Sequence, residues 1–171
     1  ANISRSAYAE RRLVHLLGPG TSIAVASAGV PGYPGQPMDP ALAVLLAQRG
    51  GSAEGHVSQS VTRDLLAGAD LVWTMEYSHR LKLLDAWPDL APRFHGLTQF
   101  AEAADRWSGK GGTAIGPEAI AEVTALARSD SMTGDVPDPY GRGRRAARAC
   151  ADTLDLALGR ILPVLLALEA R

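Results

Sequence analysis

The chain has almost no cysteine: Cys150 stands alone among 171 residues. A single thiol excludes an internal disulfide framework and a Cys-rich zinc cluster, and it suits a reducing, cytoplasmic compartment. The four histidines are scattered, with no HxxxH or HExxH spacing, so no structural metal is expected. An excess of one charge is also missing, since 17 Lys and Arg against 18 Asp and Glu leave a formal net charge of -1. No global basic field points to nucleic acid, and no polybasic run points to an anionic membrane. Long hydrophobic runs are absent as well. The most apolar stretch, LALGRILPVLLALEA, is interrupted by Arg160 and Pro163 and is shorter than the roughly 20 residues that cross a bilayer. Partners must therefore be read from local sites.

What is present fits one domain over residues 1–171, because 46% hydrophobic content at this length is enough for a single continuous core. AYAERRLVHLL puts Ala9, Leu13, Leu16 and Leu17 on one side and is stopped by GPG, which predicts a helix over about 6–17. TSIAVASAG reads as a buried strand closed by Ala28-Gly29, VPGYPGQPMDP as a loop, and PALAVLLAQRG as a helix with a glycine stop. SQSVTRDLLAGA is a short capped helix, DLVWTM an apolar run of strand length, and EYSHRLKLLDAW a helix that ends before Pro88. RFHGLTQF predicts a short strand leading into the helix TQFAEAAD. WSGKGGTAIG is a glycine-rich loop, and PEAIAEVTALARS a helix with proline in its first turn. DSMTGDVPDPYGRG is a loop. RRAARACADTLDLALGRILPVLLALEA is a long last helix that Pro163 would kink. Strand followed by helix, with no hairpin signal, predicts an α/β fold with a mainly parallel sheet. About three strands are visible, and none precedes the first helix.

Two stretches carry chemistry. NISRS ends a loop at a helix N-terminus, where free N–H groups and the positive end of the helix dipole suit a phosphate or another oxyanion. Arg5 would add a planar fork of donors and Ser6 a hydroxyl, although an N-cap serine beside a solvated arginine fits the same residues. VPDPYG, residues 136–141, can carry a general acid in Asp138 and an aromatic wall in Tyr140. Asp-Pro and Tyr-Gly are also ordinary turn chemistry, as Met38-Asp39-Pro40 illustrates. Cys150 lies on the same helical face as Leu154 and Ala157 and reads as a small buried hydrophobe. His56 could orient a loop or be merely exposed, His15, His79 and His95 show no partner pattern, and none of the four is assigned catalysis. Arg142, Arg144, Arg145 and Arg148 gather at the start of the last helix, where the dipole disfavours cations. They are either a solvated face or a docking point for an acidic or phosphorylated partner.

Taken together and in order, ANISRSAYAE, SAG, ADLVWTM and DPYG resemble the low-molecular-weight protein tyrosine phosphatases. That family's phosphate loop reads C-x5-R-S within V-C-x-G-N-I-C-R-S-P-x-A-E, and its acid loop reads D-P-Y. The resemblance runs from Ala1 to the last helix and is weakest over about 107–131. It implies a three-layer α/β/α fold of the phosphatase I type, with a mainly parallel four-stranded sheet. It also implies hydrolysis of phosphotyrosine on proteins through a cysteinyl-phosphate, with no cofactor. Arg5 would grip the phosphoryl group and Asp138 act as general acid. Asn2 would support the loop, Ser6 assist the thiolate, and Tyr140 line the substrate wall. Residues Ala1, Asn2, Ile3, Ser4, Arg5 and Ser6 would form the cradle for a phosphotyrosine protein, inorganic phosphate or another oxyanion, in a monomer or weak dimer.

Three departures matter. Ser4 replaces a second cysteine and so removes a protective disulfide. Ala7 replaces a proline, and Gly141 replaces a second tyrosine. Counting back from Arg5, the family's nucleophile falls two positions ahead of Ala1, with the central strand before it. The expectation is an N-terminally incomplete chain that is inactive as it stands. A non-catalytic phosphate-binding module is the alternative. Arsenate reduction is a further one, although it would need cysteines beyond Cys150.

Overall fold

The computed structural model describes residues 1–127 and 134–170. Its elements, in chain order, are α1 (Arg5–Leu17), α2 (Pro40–Gln48), α3 (Arg63–Ala67), β1 (Val72–Thr74), α4 (Tyr77–Ala86), a 3₁₀ helix (Pro88–Arg93), β2 (Phe94–Gly96), α5 (Leu97–Gly109), α6 (Pro117–Leu126) and α7 (Gly143–Glu169). Residues 128–133, the end of the predicted helix PEAIAEVTALARS and the first four residues of the predicted loop DSMTGDVPDPYGRG, lie outside the described residues.

Local chemistry explains most boundaries. α1 buries Ala7, Tyr8, Ala9 and Leu13 and stops at Gly18, whose φ of 74° is a conformation glycine adopts freely. The Asp39-Pro40 pair is a helix start: the Asp39 carboxylate accepts from the Ala41 and Leu42 amides at 3.0 and 3.1 Å, with proline at the first helical position. Thr62 caps α3 in the same way, accepting from the Leu65 amide at 3.2 Å. α5 runs further than TQFAEAAD predicts, into the expected glycine loop. Trp107 lies one turn beyond buried Ala103 and Ala104; it is itself buried, and its indole N–H donates to Glu122 Oε2 at 2.7 Å. Burying that large ring outweighs the weak propensity of Ser108 and Gly109.

α7 is the spine of the core. Ala147, Cys150, Ala151, Leu154, Ala157, Leu158, Ile161, Val164 and Leu165 form one buried stripe at helical spacing, against which α1, α2, α5 and α6 pack. The helix continues through Pro163. That residue and Gly159, whose carbonyl loses its ladder partner, are both exposed, which leaves the freed carbonyl on the solvent side and not in the core. Tyr8, Leu42, Leu46, Phe100 and Leu97 close the core from the other helices. A smaller apolar cluster of Leu66, Leu83, Leu90 and Phe94 sits beside β2.

The sheet is smaller than the four strands implied by the resemblance. β1 and β2 pair in parallel, Val72 opposite Phe94 and Thr74 opposite Gly96, across the α4 crossover. Residues 21–28, predicted as a strand, make no ladder, and only Gly29 forms a parallel bridge, to Ser60. Burial still alternates from Thr21 to Ala26 with a period of two, as in a strand. The reason for the missing ladder is geometric: residues 22–30 and 71–74 line one open cleft of about 1520 Å³. Ladder bonds need a neighbouring strand about 4.7–4.9 Å away, and across from residues 22–28 stands the cleft. One end of this cleft is polar and is formed by the N-terminus of α1, the end of β1, Asp138 and Tyr140.

Candidate active site

The segment before α1 curls around Asn2. Asn2 is buried and has φ of 64°, the left-handed region that asparagine tolerates better than most residues. Its side chain holds the curl in place. Nδ2 donates to Ser6 Oγ at 3.1 Å and to Ser27 Oγ at 2.7 Å, while Oδ1 accepts from the Gln59 amide at 2.9 Å. Buried His56 donates from Nε2 to the Asn2 carbonyl at 3.0 Å, and its Nδ1 lies 3.7 Å from Glu10 Oε2, which in turn accepts from Ser27 Oγ. The Ile3 carbonyl accepts from the Asp39 amide at 2.6 Å, and the Ala1 carbonyl from the Tyr33 amide at 3.2 Å.

This bracing leaves donors unused. The first amide of the segment to find an acceptor is that of Tyr8, which donates to the Ser4 carbonyl at 2.9 Å, so the amides of residues 3–7 are free donors among the described residues. They surround the positive end of α1, the arrangement that holds an oxyanion. Ser4 is buried, and its hydroxyl has no hydrogen-bond partner among the described residues. A hydroxyl left in that state costs about 1–3 kcal/mol, a penalty that a polar ligand would relieve.

Arg5 draws the remaining parts together. Its Nη1 donates to Glu76 Oε1 and to the Val136 carbonyl, both at 2.6 Å, and Nη2 lies 3.4 Å from Asp138 Oδ2. The Arg5 side chain is only 10% exposed, so its orientation is dictated by these partners. Glu76 follows β1 at its carboxyl end. Burial pushes its carboxyl up, but the hydrogen bond and charge of Arg5 outweigh this and hold it below its ordinary value. Burial lowers His79, against the opposing pull of Glu76, whose Oε1 lies 3.8 Å from His79 Nε2. The acid loop docks on the same strand end. The Val136 amide donates to the Met75 carbonyl at 2.9 Å, and Asp135 Oδ1 accepts from the Tyr77 amide at 2.7 Å. Asp138 is half exposed and accepts from the Tyr140 amide at 3.3 Å, while Tyr140 is largely exposed at the cleft wall.

The structure thus unites Asn2 with Ser6 and Arg5 with Asp138, residues from opposite ends of the chain. Sequence reading missed Glu76, Ser27 and Glu10; of the two readings open for His56, orienting a loop or lying exposed, the structure shows the first, with the ring buried against the Asn2 carbonyl. One signal for Glu76 was available: in open parallel sheets, sites form at the carboxyl ends of strands, and Glu76 directly follows the DLVWTM run. Cys150 takes no part in these contacts. It is buried in α7, and burial pushes its thiol up to about 11. No group of three or more His, Cys, Asp or Glu suited to a metal occurs among the described residues. No described helix is long and apolar enough to cross a membrane.

Residues 1–109 match the family model described as low molecular weight phosphotyrosine protein phosphatase. The low molecular weight protein-tyrosine-phosphatase Wzb of Salmonella typhi is 29% identical over 154 residues, covering 90% of this chain and 81% of that protein. Among solved structures, Vibrio vulnificus Wzb in complex with benzylphosphonate is similar with a TM-score of 0.66 and 26% identity, over 92% of this chain and 88% of that one. The low molecular weight protein tyrosine phosphatase from T. tengcongensis gives a TM-score of 0.73 at 23% identity, over 95% and 92% of the two chains, a likeness of fold.

Proposed function

Because the chain belongs to the low molecular weight phosphotyrosine protein phosphatase family, we propose that it provides the phosphate-holding and acid groups of a phosphotyrosine phosphatase. In this reading the nucleophile is a cysteine two positions ahead of Ala1 in the full-length protein. The observation that carries the reading is the Arg5–Asp138 approach of 3.4 Å beside the free amides of residues 3–7.

The thiolate attacks phosphorus, forming the S–P bond as the P–O bond to the aryl group breaks. Asp138 gives its proton to the departing phenolate. Arg5 and the loop amides take up the charge on the three equatorial oxygens. Water then attacks the cysteinyl-phosphate and passes a proton to the Asp138 carboxylate. The S–P bond breaks, and phosphate and thiolate are released. Ser6, oriented by Asn2, stabilises the thiolate as it leaves. Tyr140 offers an aromatic face to the substrate ring.

Residues 1–171 alone would hold an oxyanion without turning a substrate over. The cleft bordered by residues 22–30 and 71–74 would accept the strand leading to the cysteine. Arsenate reduction by a cysteine relay finds no partner thiol in buried Cys150. The test is hydrolysis of aryl phosphate and phosphotyrosine peptide by the full-length protein, with acid trapping of the phosphoenzyme. Asp138→Ala is expected to lower kcat about 10²–10⁴-fold. A full-length protein that hydrolyses neither substrate, or an Asp138→Ala variant equal to the parent, would sink the proposal.

A further inference from the structure

The acid loop leads directly into a group of cations that the phosphatase chemistry does not use. Tyr140 lines the cleft wall, and the chain then turns through Gly141 at φ of 70° and Gly143 at φ of 78°, with the Arg142 amide donating to the Pro139 carbonyl at 3.0 Å. Glycine at both positions makes this sharp exit possible. α7 begins there, and Arg144, Arg145 and Arg148 lie within about 100° of arc on its solvent side, Arg144 and Arg148 one turn apart. All four arginines are exposed. Arg5, Arg12, Arg49, Arg63 and Arg160 each face a carboxylate, but these four face none among the described residues.

Their position is electrostatically unfavourable for the protein alone. The first turn of α7 has no acidic residue, and a helix N-terminus repels cations. The arrangement becomes favourable when an anion is presented at the mouth of the site. We propose that Arg142, Arg144, Arg145 and Arg148 form a rim that reads acidic residues flanking the phosphorylated residue, so that the preferred substrate is an acidic phosphopeptide segment. This rests on the phosphatase reading above. An extended peptide advances about 3.3–3.6 Å per residue, so one held by its phosphate beside Tyr140 passes the rim within a few residues. A peptide fits better than a membrane: Leu156 and Leu166, the large exposed apolar residues of α7, lie two or more turns further along, and exposed Tyr140 beside the rim belongs to the cleft wall.

The experiment uses the full-length protein and phosphotyrosine peptides of equal length, flanked by acidic, neutral or basic residues. At low salt kcat/KM should favour the acidic peptide over the neutral one by about tenfold, the sum of several exposed ion pairs. The preference should shrink at 0.5 M salt, where the Debye length is only a few ångströms. Arg144→Ala/Arg145→Ala/Arg148→Ala should bring the ratio near one, mainly through KM. The charge reversal Arg144→Glu/Arg148→Glu should shift preference toward the basic peptide, which a merely structural role would not do. Thermal melts verify that each variant is folded, with Arg→Gln changes as replacements where one is not. Binding of the same peptides as non-hydrolysable phosphonates, followed by fluorescence anisotropy, reads the rim independently of turnover. Absence of any aryl phosphate hydrolysis by the parent overturns the phosphatase reading. Equal affinity for acidic and neutral phosphonate peptides overturns the rim. So does a preference that survives the triple substitution, or rim-dependent binding to phosphatidylserine vesicles without peptide discrimination.

Discussion

Asn2 is the residue whose replacement most sharply tests the geometry of the site. Its φ of 64° is a conformation that costs alanine about 1–2 kcal/mol and glycine almost nothing. Its side chain makes three hydrogen bonds, to Ser6, Ser27 and the Gln59 amide. Removing them costs about 2 kcal/mol net, since hydroxyls left behind can reorient while the Gln59 amide loses its acceptor. Asn2→Gly should therefore destabilise the full-length protein by about 2 kcal/mol, and Asn2→Ala by about 3–4 kcal/mol. At roughly 2–4 °C per kcal/mol for a chain of this size, Tm should fall by about 4–8 °C and 6–16 °C. Thermal and urea unfolding measure both variants, and inhibition by inorganic phosphate follows the loop itself. Weaker phosphate inhibition is expected for both, because the free amides of residues 3–7 are held in place by the curl at Asn2. An alanine variant as stable as the glycine variant would refute the backbone argument. Both variants within about 0.5 kcal/mol of the parent would refute the bracing argument.

Two further perturbations address the charges and the thiol. Glu76 has a folded-state pKa below its ordinary value, so its stabilising contribution is present above the unfolded value and is lost as pH falls through the folded one. Glu76→Gln should cost about 0.5–1 kcal/mol at neutral pH after solvent screening. The gap to the parent should close in acid, as urea melts across pH 3 to 7 would show; a gap independent of pH contradicts the assignment. Cys150, buried with its thiol pushed up to about 11, should resist alkylation at pH 8 in the folded protein while reacting on unfolding. Cys150→Ala should cost about 1 kcal/mol of packing and leave aryl phosphate turnover intact. Fast labelling of Cys150 by peptide mapping, or lost turnover, would show that it belongs to the chemistry.

Much of the helical framework was legible because its causes are local. The start of α2 is written in Asp39-Pro40, the stop of α1 in Gly18, and the apolar stripe of α7 in residues spaced three and four apart. The end of α5 was not legible, since a serine and a glycine look like a loop until the adjacent Trp107 is seen to be buried one turn beyond Ala103 and Ala104. Residues 21–28 were read as a strand, and their alternating burial agrees, but pairing depends on what lies beside them, and a cleft lies there. The same division holds at the site. Asn2, Arg5, Ser6, Asp138 and Tyr140 are nominated by two short stretches, whereas Ser27 and Glu10, although they lie inside SAG and ANISRSAYAE, and Glu76 and His56 take their roles from contacts between distant segments.

The sequence by itself determined which residue types stand at the start of α1 and on the acid loop, because caps, turns and donor forks depend on near neighbours. Only the tertiary structure decided that Arg5 meets Glu76, Val136 and Asp138 at one point, and that Cys150 is shut inside α7. Those outcomes depend on how the end of β1 and the last helix pack against α1, and packing joins residues far apart in the chain whose types carry no record of the meeting.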